Sequence, residues 1–211
     1  MTVTLYDFWR SSAAYRVRIA LNLKGLSYQS VETSLAKGDH RTPAYLAQNP
    51  QGFVPMLEVG DVRLTQSLAI IDWLDATYPE PRLIPTEATA RAQEMAKALV
   101  IAADIHPVNN LRILKYLKND LGHEQPEIDQ WIRHWIAEGF AALEAMANPG
   151  APFLSGGAPG LADCCLIPQM YNARRFETPL EAFPNLVRID ATCQALPTFK
   201  AAHPDAVKPG D

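Results

Sequence analysis

Cysteine is scarce in this chain, with only three among 211 residues, at positions 164, 165 and 193. The number is odd, two are adjacent and no CxxC pair occurs, which argues against a disulfide framework and suits a reducing compartment. The five histidines and three cysteines show no ligand spacing, so no metal site is expected. An excess of basic residues is also missing. With 19 Lys+Arg against 23 Asp+Glu and a net charge of -4, the overall field repels a polyanion, and nothing suggests a nucleic-acid partner. Any anionic ligand must be held by a local basic site. No apolar run reaches the roughly 20 residues of a membrane helix. The first residues, Met1-Thr2-Val3-Thr4-Leu5-Tyr6-Asp7, place an acid where a signal peptide carries a basic n-region. The expectation is a cytoplasmic protein without a membrane partner.

What the chain does have is an ordinary globular composition, 48% hydrophobic and 20% charged, with 17 prolines that mark boundaries. Its first eighty residues alternate short β-like and helical patterns. Val3 and Leu5 alternate with Thr2 and Thr4 as a first strand, and Val17, Ala20 and Leu21 recur at helical spacing up to a stop at Lys24-Gly25. Tyr28 to Val31 can form a second strand. Val54 to Val59, a Gly60-Asp61 turn and Val62 to Leu64 read as a hairpin, followed by a helix whose inner face carries Ile70, Ile71 and Leu74. After the proline-rich stretch from Pro79 to Pro85 the pattern becomes helix upon helix. Met95, Leu99, Ala102 and His106 share one face, and Ile128, Trp131, Trp135, Phe140 and Leu143 mark a long helix with Pro126 in its first turn. Leu161 to Tyr171 and Leu186 to Leu196 supply two more. These patterns divide the chain into an α/β domain over residues 1–82 and an all-helical domain over residues 83–211.

Three turns at element ends could bind a ligand. Ser11 and Ser12 lie where the first strand enters the first helix, and a helix N-terminus there offers unpaired N–H groups and partial positive charge to an anion. An N-cap alone also explains a serine at that point. In Gln51-Gly52-Phe53-Val54-Pro55, a proline ahead of a hairpin strand suggests a special turn, possible as a cis peptide. Such a bend leaves the N–H and C=O of Val54 available to an extended peptide, although an edge-strand proline with no ligand fits as well. Gln66-Ser67 starts the Ile70-Ile71-Leu74 helix, where a hydroxyl and N–H groups suit a carboxylate and where capping again suffices alone. Cys164 and Cys165 read as core residues.

Taken together, these motifs resemble the zeta class of cytosolic glutathione transferases, the maleylacetoacetate isomerases. The resemblance rests on Ser11-Ser12 followed by Arg16-Val17-Arg18-Ile19-Ala20-Leu21, on Asn49-Pro50-Gln51-Gly52 with Val54-Pro55, and on Gln66-Ser67-Leu68-Ala69-Ile70-Ile71. Leu161-Ala162-Asp163, Pro168-Gln169 and Arg174-Arg175-Phe176 follow in the order the family has them. It implies a thioredoxin-like N-terminal domain, an all-α C-terminal domain, glutathione as cofactor, and a homodimer.

The resemblance also implies roles. Ser11 is the hydroxyl held against the glutathione sulfur, with Ser12 beside it, and Val54 pairs its backbone with the cysteinyl part while Pro55 is the cis-proline. Gln66 and Ser67 clamp the γ-glutamyl carboxylate, and His40 and Gln51 lie toward the glycyl end. Arg10 and Arg175 face a small dicarboxylate keto-acid substrate, while Arg16 and Arg18 are assigned mainly to structure. His106 and Asn110, around Pro107 with Asn109, resemble the cleft-lining segment of bacterial members. Three departures stand out. Ala13 replaces a cysteine common in the family, Tyr15 replaces a tryptophan, and Gly160 replaces a Ser or Thr ahead of Leu161-Ala162-Asp163, which predicts a weaker helix cap there. The implied reaction is cis-trans isomerisation of a maleyl keto acid to its fumaryl isomer in the breakdown of aromatic compounds. Maleylpyruvate in place of maleylacetoacetate, a broader transferase or α-halo acid dehalogenase, and a noncatalytic binding or regulatory protein of the same fold are the alternatives.

Overall fold

A computed structural model describes residues 2–210. Strand β1 (Val3–Asp7) alternates buried and half-buried residues along its length, as a strand with one covered face must. It leads through α1 (Ser12–Leu23) to β2 (Gln29–Glu32). Because α1 provides the crossover, β1 and β2 lie parallel, Thr4 opposite Gln29. A 3₁₀ turn at Asp39–Arg41 and a single helical turn, α2 (Pro43–Leu46), precede β3 (Met56–Val59) and β4 (Val62–Thr65). These two form the expected hairpin around Gly60 and Asp61, with Val59 opposite Val62. The result is a four-stranded mixed sheet in the order β2-β1-β3-β4, followed by α3 (Ser67–Thr77).

Helix α1 ends as the sequence predicts. Gly25 takes φ +65, which lets its N–H reach Asn22 O and lets Leu26 N–H reach Leu21 O, the paired bonds of a Schellman motif. Lys24 goes beyond its expected place in the last turn. It is buried, and its Nζ donates to Asp75 Oδ1 at 2.6 Å, Tyr78 O at 2.7 Å and Pro81 O at 2.6 Å. Lys24 thereby ties the end of α1 to the last turn of α3 and to the segment that follows it.

The chain separates into two units, Met1–Leu83 with Gln194–Asp211, and Ile84–Cys193. The final segment carries α10 (Pro197–Ala202) and α11 (Pro204–Val207), and α10 packs on α1. Buried Arg18 explains this placement. Its Nε donates to Ala202 O at 3.0 Å, its Nη2 to Trp9 O at 2.9 Å, and its Nη1 reaches both oxygens of Asp7 at 2.7 and 2.8 Å. A buried guanidinium needs such a full set of acceptors.

The second unit is helical. It contains α4 (Ala88–Leu99), a π-helical turn (Val100–Ile105), α5 (His106–Val108), α6 (Leu111–Asn119), α7 (Gln125–Met146), α8 (Leu161–Arg175) and α9 (Pro184–Ala195). Helix α7 buries Ile128, Ile132, Ile136, Phe140 and Leu143, with Trp131 and Trp135 only half-buried beside them. Along α4 and the π-helical turn that continues it the buried face differs from the expected one. Glu94, Ala98, Ile101 and Ile105 are buried, whereas Leu99 is 40% exposed. The apolar pattern misleads by one position because the inward stripe carries a carboxylate. Glu94 Oε1 accepts from Ala162 N–H at 2.7 Å and from the Ser155 hydroxyl at 2.5 Å.

This contact also corrects the expectation of a weak cap on α8. Gly160 has no side chain to offer, so Glu94 of α4 satisfies the Ala162 N–H instead, while Asp163 accepts from Gly160 N–H at 3.0 Å. Asp163 also takes the N–H groups of Leu154 and Ser155. Burial pushes the carboxyls of both Glu94 and Asp163 above their ordinary range, against the hydrogen bonds that they accept.

Candidate active site

In the first unit the sheet end and the helix starts bring several expected residues together. Ser11 is the N-cap of α1, with extended backbone at φ -70 and ψ 119. Its N–H donates to Phe8 O at 2.8 Å, and its Oγ accepts from Ala14 N–H at 3.3 Å. The capping role is therefore real, and it leaves the hydroxyl proton directed elsewhere, since a serine oxygen that accepts can still donate. Ser12 is the first residue of the helix and is buried, while Ser11 is half-buried. Arg10 is exposed, its guanidinium over the Trp9 ring at 5.2 Å.

Phe8 links this turn to the second one. Its ring packs against the cluster of Tyr45, Val54 and Met56. The Val54-Pro55 peptide is cis, and neither the N–H nor the C=O of Val54 is engaged by another described residue. Two side chains hold the approach to it: Tyr45 Oη and Asn49 Nδ2 both donate to Phe53 O, at 2.6 and 2.7 Å. Neither residue was singled out for this role from sequence. The motif Asn49-Pro50-Gln51-Gly52 carries the signal, and the fold explains it. Gly52 has φ +60, and a Cβ there would stand 2.8 Å from His40 O. The half-buried His40 thus lies on the turn that backs this loop. Arg41 of the same turn donates to Gln51 O at 3.3 Å.

The third turn joins the second directly. Gln66 Nε2 donates to Gln51 Oε1 at 2.6 Å. Gln66 sits at φ +68, a conformation that few non-glycine residues adopt, and it opens α3 with Ser67 as the first helical residue. Ser67 is buried, and its Oγ accepts from Arg16 Nη1 at 3.2 Å. Arg16, assigned mainly to structure from the sequence, therefore reaches a candidate ligand-binding hydroxyl. Phe8 thus connects the Ser11 turn with Val54, Gln51 meets Gln66, and Arg16 of α1 meets Ser67.

In the second unit, His106 begins α5 directly after the π-helical turn, with Pro107 next to it. Asn110 caps α6, its Oδ1 accepting from Arg112 N–H at 3.2 Å. Trp131 of α7, read from the sequence only as marking a long helix, donates its indole N–H to Val108 O at 3.0 Å and so tethers the segment from His106 to Asn110. At the end of α8 the two neighbouring arginines separate. Arg174 pairs with Asp190 at 2.7 Å, whereas Arg175 is exposed and lies over the Phe176 ring at 4.6 Å. Cys164, Cys165 and Cys193 are all buried, and burial raises the Cys164 and Cys193 thiols far above the range of a nucleophile at neutral pH. Among the described residues no group of three or more His, Cys, Asp and Glu could hold a metal ion, and no helix is long and apolar enough to cross a membrane.

Residues 1–76 match the family described as glutathione S-transferase, N-terminal domain. Over 208 residues the chain is 48% identical to the probable maleylacetoacetate isomerase of Vibrio cholerae, covering 97% of each. Among solved structures, the chain matches the holo structure of maleyl pyruvate isomerase, a bacterial zeta-class glutathione S-transferase. The TM-score is 0.95 at 42% identity, with 99% of this chain and 100% of that one covered. Maleylacetoacetate isomerase from Anaeromyxobacter dehalogenans, with glutathione bound in its active site, matches with a TM-score of 0.88 at 41% identity, covering 100% of this chain and 98% of that one. Similarity this extensive, running through both the mixed-sheet unit and the helical one, shows that the chain belongs to the zeta-class glutathione transferase family, the maleylacetoacetate isomerases.

Proposed function

We propose that this chain is a glutathione-dependent cis-trans isomerase that converts maleylacetoacetate to fumarylacetoacetate. The observation that carries the reading is the linked set of turns in the first unit, where an N-cap serine, an unpaired backbone amide at Val54 and a helix-start serine offer three kinds of donor. That set fits a thiol tripeptide: a hydroxyl for sulfur, a strand-like backbone for the middle residue, and a helix terminus for a carboxylate. When bound, glutathione supplies a thiolate whose addition to the alkene and later elimination let the carbon-carbon bond rotate.

The protein's own residues then have distinct tasks. Ser11 donates the hydrogen bond that favours the thiolate over the thiol, and the partial positive charge at the start of α1 acts in the same direction. Ser12 supports that turn. The Val54 backbone orients the cysteinyl residue, with Pro55 setting the bend, and Gln66 and Ser67 hold the γ-glutamyl carboxylate. Gln51 and His40 serve the glycyl end. Arg175 and Arg10 take the carboxylates of the keto acid and the negative charge that develops on its carbonyl oxygen, a task suited to planar guanidinium donors. His106 and Asn110 are the ligand-binding residues proposed on the second unit. A cytoplasmic homodimer is part of the proposal, and a monomer by sedimentation would count against it.

A side-by-side assay of maleylacetoacetate and maleylpyruvate, with and without glutathione, tests the proposal. Turnover of maleylacetoacetate only in the presence of glutathione is the expected result. Equal turnover without glutathione overturns it, and strong preference for maleylpyruvate shifts the substrate to the second keto acid, the one named for a solved relative at 42% identity.

A further inference from the structure

Arg16 and Arg18 stand two residues apart on α1, so their side chains leave the helix about 200° apart. Their environments differ accordingly. Arg18 is spent on Asp7 and on the carbonyls of Trp9 and Ala202, which fixes the fold of the first unit. Arg16 is only 2% exposed, and its Nη1 reaches across to the Ser67 hydroxyl, 51 residues away in sequence.

That bond has a directional consequence. A serine hydroxyl has one proton and two lone pairs, and an arginine can only donate. With Arg16 on a lone pair, Ser67 cannot donate back, so its proton must point to another acceptor. Ser67 is 5% exposed and is the first residue of an 11-residue helix, where the leading backbone N–H groups also lack helical partners. The Gln66 side chain, bonded to Gln51, holds the other edge of the turn. A hydroxyl proton, helix N–H groups and a buried guanidinium behind them all favour an anionic acceptor.

We infer that Arg16 is a positioning residue that sets the Ser67 hydroxyl as a donor and selects the ionised α-carboxylate of the γ-glutamyl group. This inference rests on reading Gln66-Ser67 as the clamp for that carboxylate. Arg16 acts through Ser67 and its charge and does not itself touch the reacting atoms.

The test compares two thiols by calorimetry: glutathione and 4-aminobutyryl-cysteinylglycine, which lacks only the α-carboxylate. The wild-type protein is expected to prefer glutathione. Arg16→Met should weaken glutathione binding about tenfold while changing analogue binding less than about twofold, as expected for loss of charge-assisted hydrogen bonding. Ser67→Ala should remove most of the preference, and Arg16→Met should add little in the Ser67→Ala background. Arg16→Lys keeps the charge and should retain a preference between those of wild type and Arg16→Met. It serves as the measured variant if circular dichroism shows Arg16→Met unfolded. An equal loss of affinity for both thiols in Arg16→Met, or an unchanged preference in a folded Arg16 variant, overturns the inference while leaving the clamp intact. Failure of the wild-type protein to distinguish the two thiols overturns the clamp reading itself, and the role of Arg16 with it.

Discussion

Glu94→Ala offers the sharpest test of how the second unit holds α8, the helix that ends in Arg175. Glu94 is 2% exposed, and its carboxylate is the acceptor for the Ala162 N–H and the Ser155 hydroxyl. Truncation to alanine removes this cap and leaves its buried N–H without a partner, a single loss of about 1–3 kcal/mol. In a protein of this length a loss of about 2 kcal/mol lowers the thermal midpoint by about 4–8 °C. Glu94→Gln keeps a carbonyl oxygen at the capping position and should stay within about 1 kcal/mol of wild type at neutral pH.

The two variants also separate geometry from charge. Burial raises the Glu94 carboxyl above its ordinary value of 4.5, so the folded protein binds that proton more tightly than the unfolded chain. Its stabilising contribution is therefore complete below 4.5, falls as pH rises through the raised value, and stays at its lowest level above it. Thermal midpoints of wild type and Glu94→Gln, measured from pH 4 to pH 8 as an approximate working range, should show wild type gaining relative to the glutamine variant on acidification. Three results would refute the reasoning: an unchanged midpoint for Glu94→Ala, a loss in Glu94→Gln as large as in Glu94→Ala, or a pH trend of opposite sign.

Other outcomes follow from the same contacts. Ser11→Ala should raise the pKa of bound glutathione, read from thiolate ultraviolet absorbance, and lower turnover about 10- to 100-fold; an unchanged thiol pKa moves the role away from this hydroxyl. Arg175→Ala should raise KM for the keto acid more than it weakens glutathione binding, and steady-state kinetics with calorimetry separate the two. Arg18→Met leaves Asp7 buried without its partner and should cost about 3–5 kcal/mol in denaturant unfolding. The three buried cysteines should resist a thiol reagent in the native protein and react together once it unfolds.

Much of the first unit is legible in local pattern. The alternation of Val3 and Leu5, the Lys24-Gly25 stop and the Gly60-Asp61 turn each report a backbone preference that acts within a few residues. The candidate turns at Ser11, Val54-Pro55 and Gln66-Ser67 are visible for the same reason, because helix starts and prolines mark themselves. The buried face of α4 is not legible. Periodicity assumes that inward positions are apolar, and Glu94 breaks that assumption for a partner 68 residues away.

By itself, then, the sequence determined the strands with their neighbouring helices α1 and α3, the two kinds of architecture and the family, along with the positions of the candidate turns. Only the tertiary structure decided what the buried charges do. Arg16 meets Ser67 across 51 residues, Arg18 meets Ala202 across 184, and Glu94 caps α8 in place of the side chain that Gly160 lacks. The physical reason is common to all three. A charge can be buried only where the fold brings it acceptors or donors, and those partners lie too far along the chain for any local pattern to reveal. The cysteines, few from the outset, are the contrasting case: Cys164 and Cys165 already read as core residues, and the fold buries Cys193 with them.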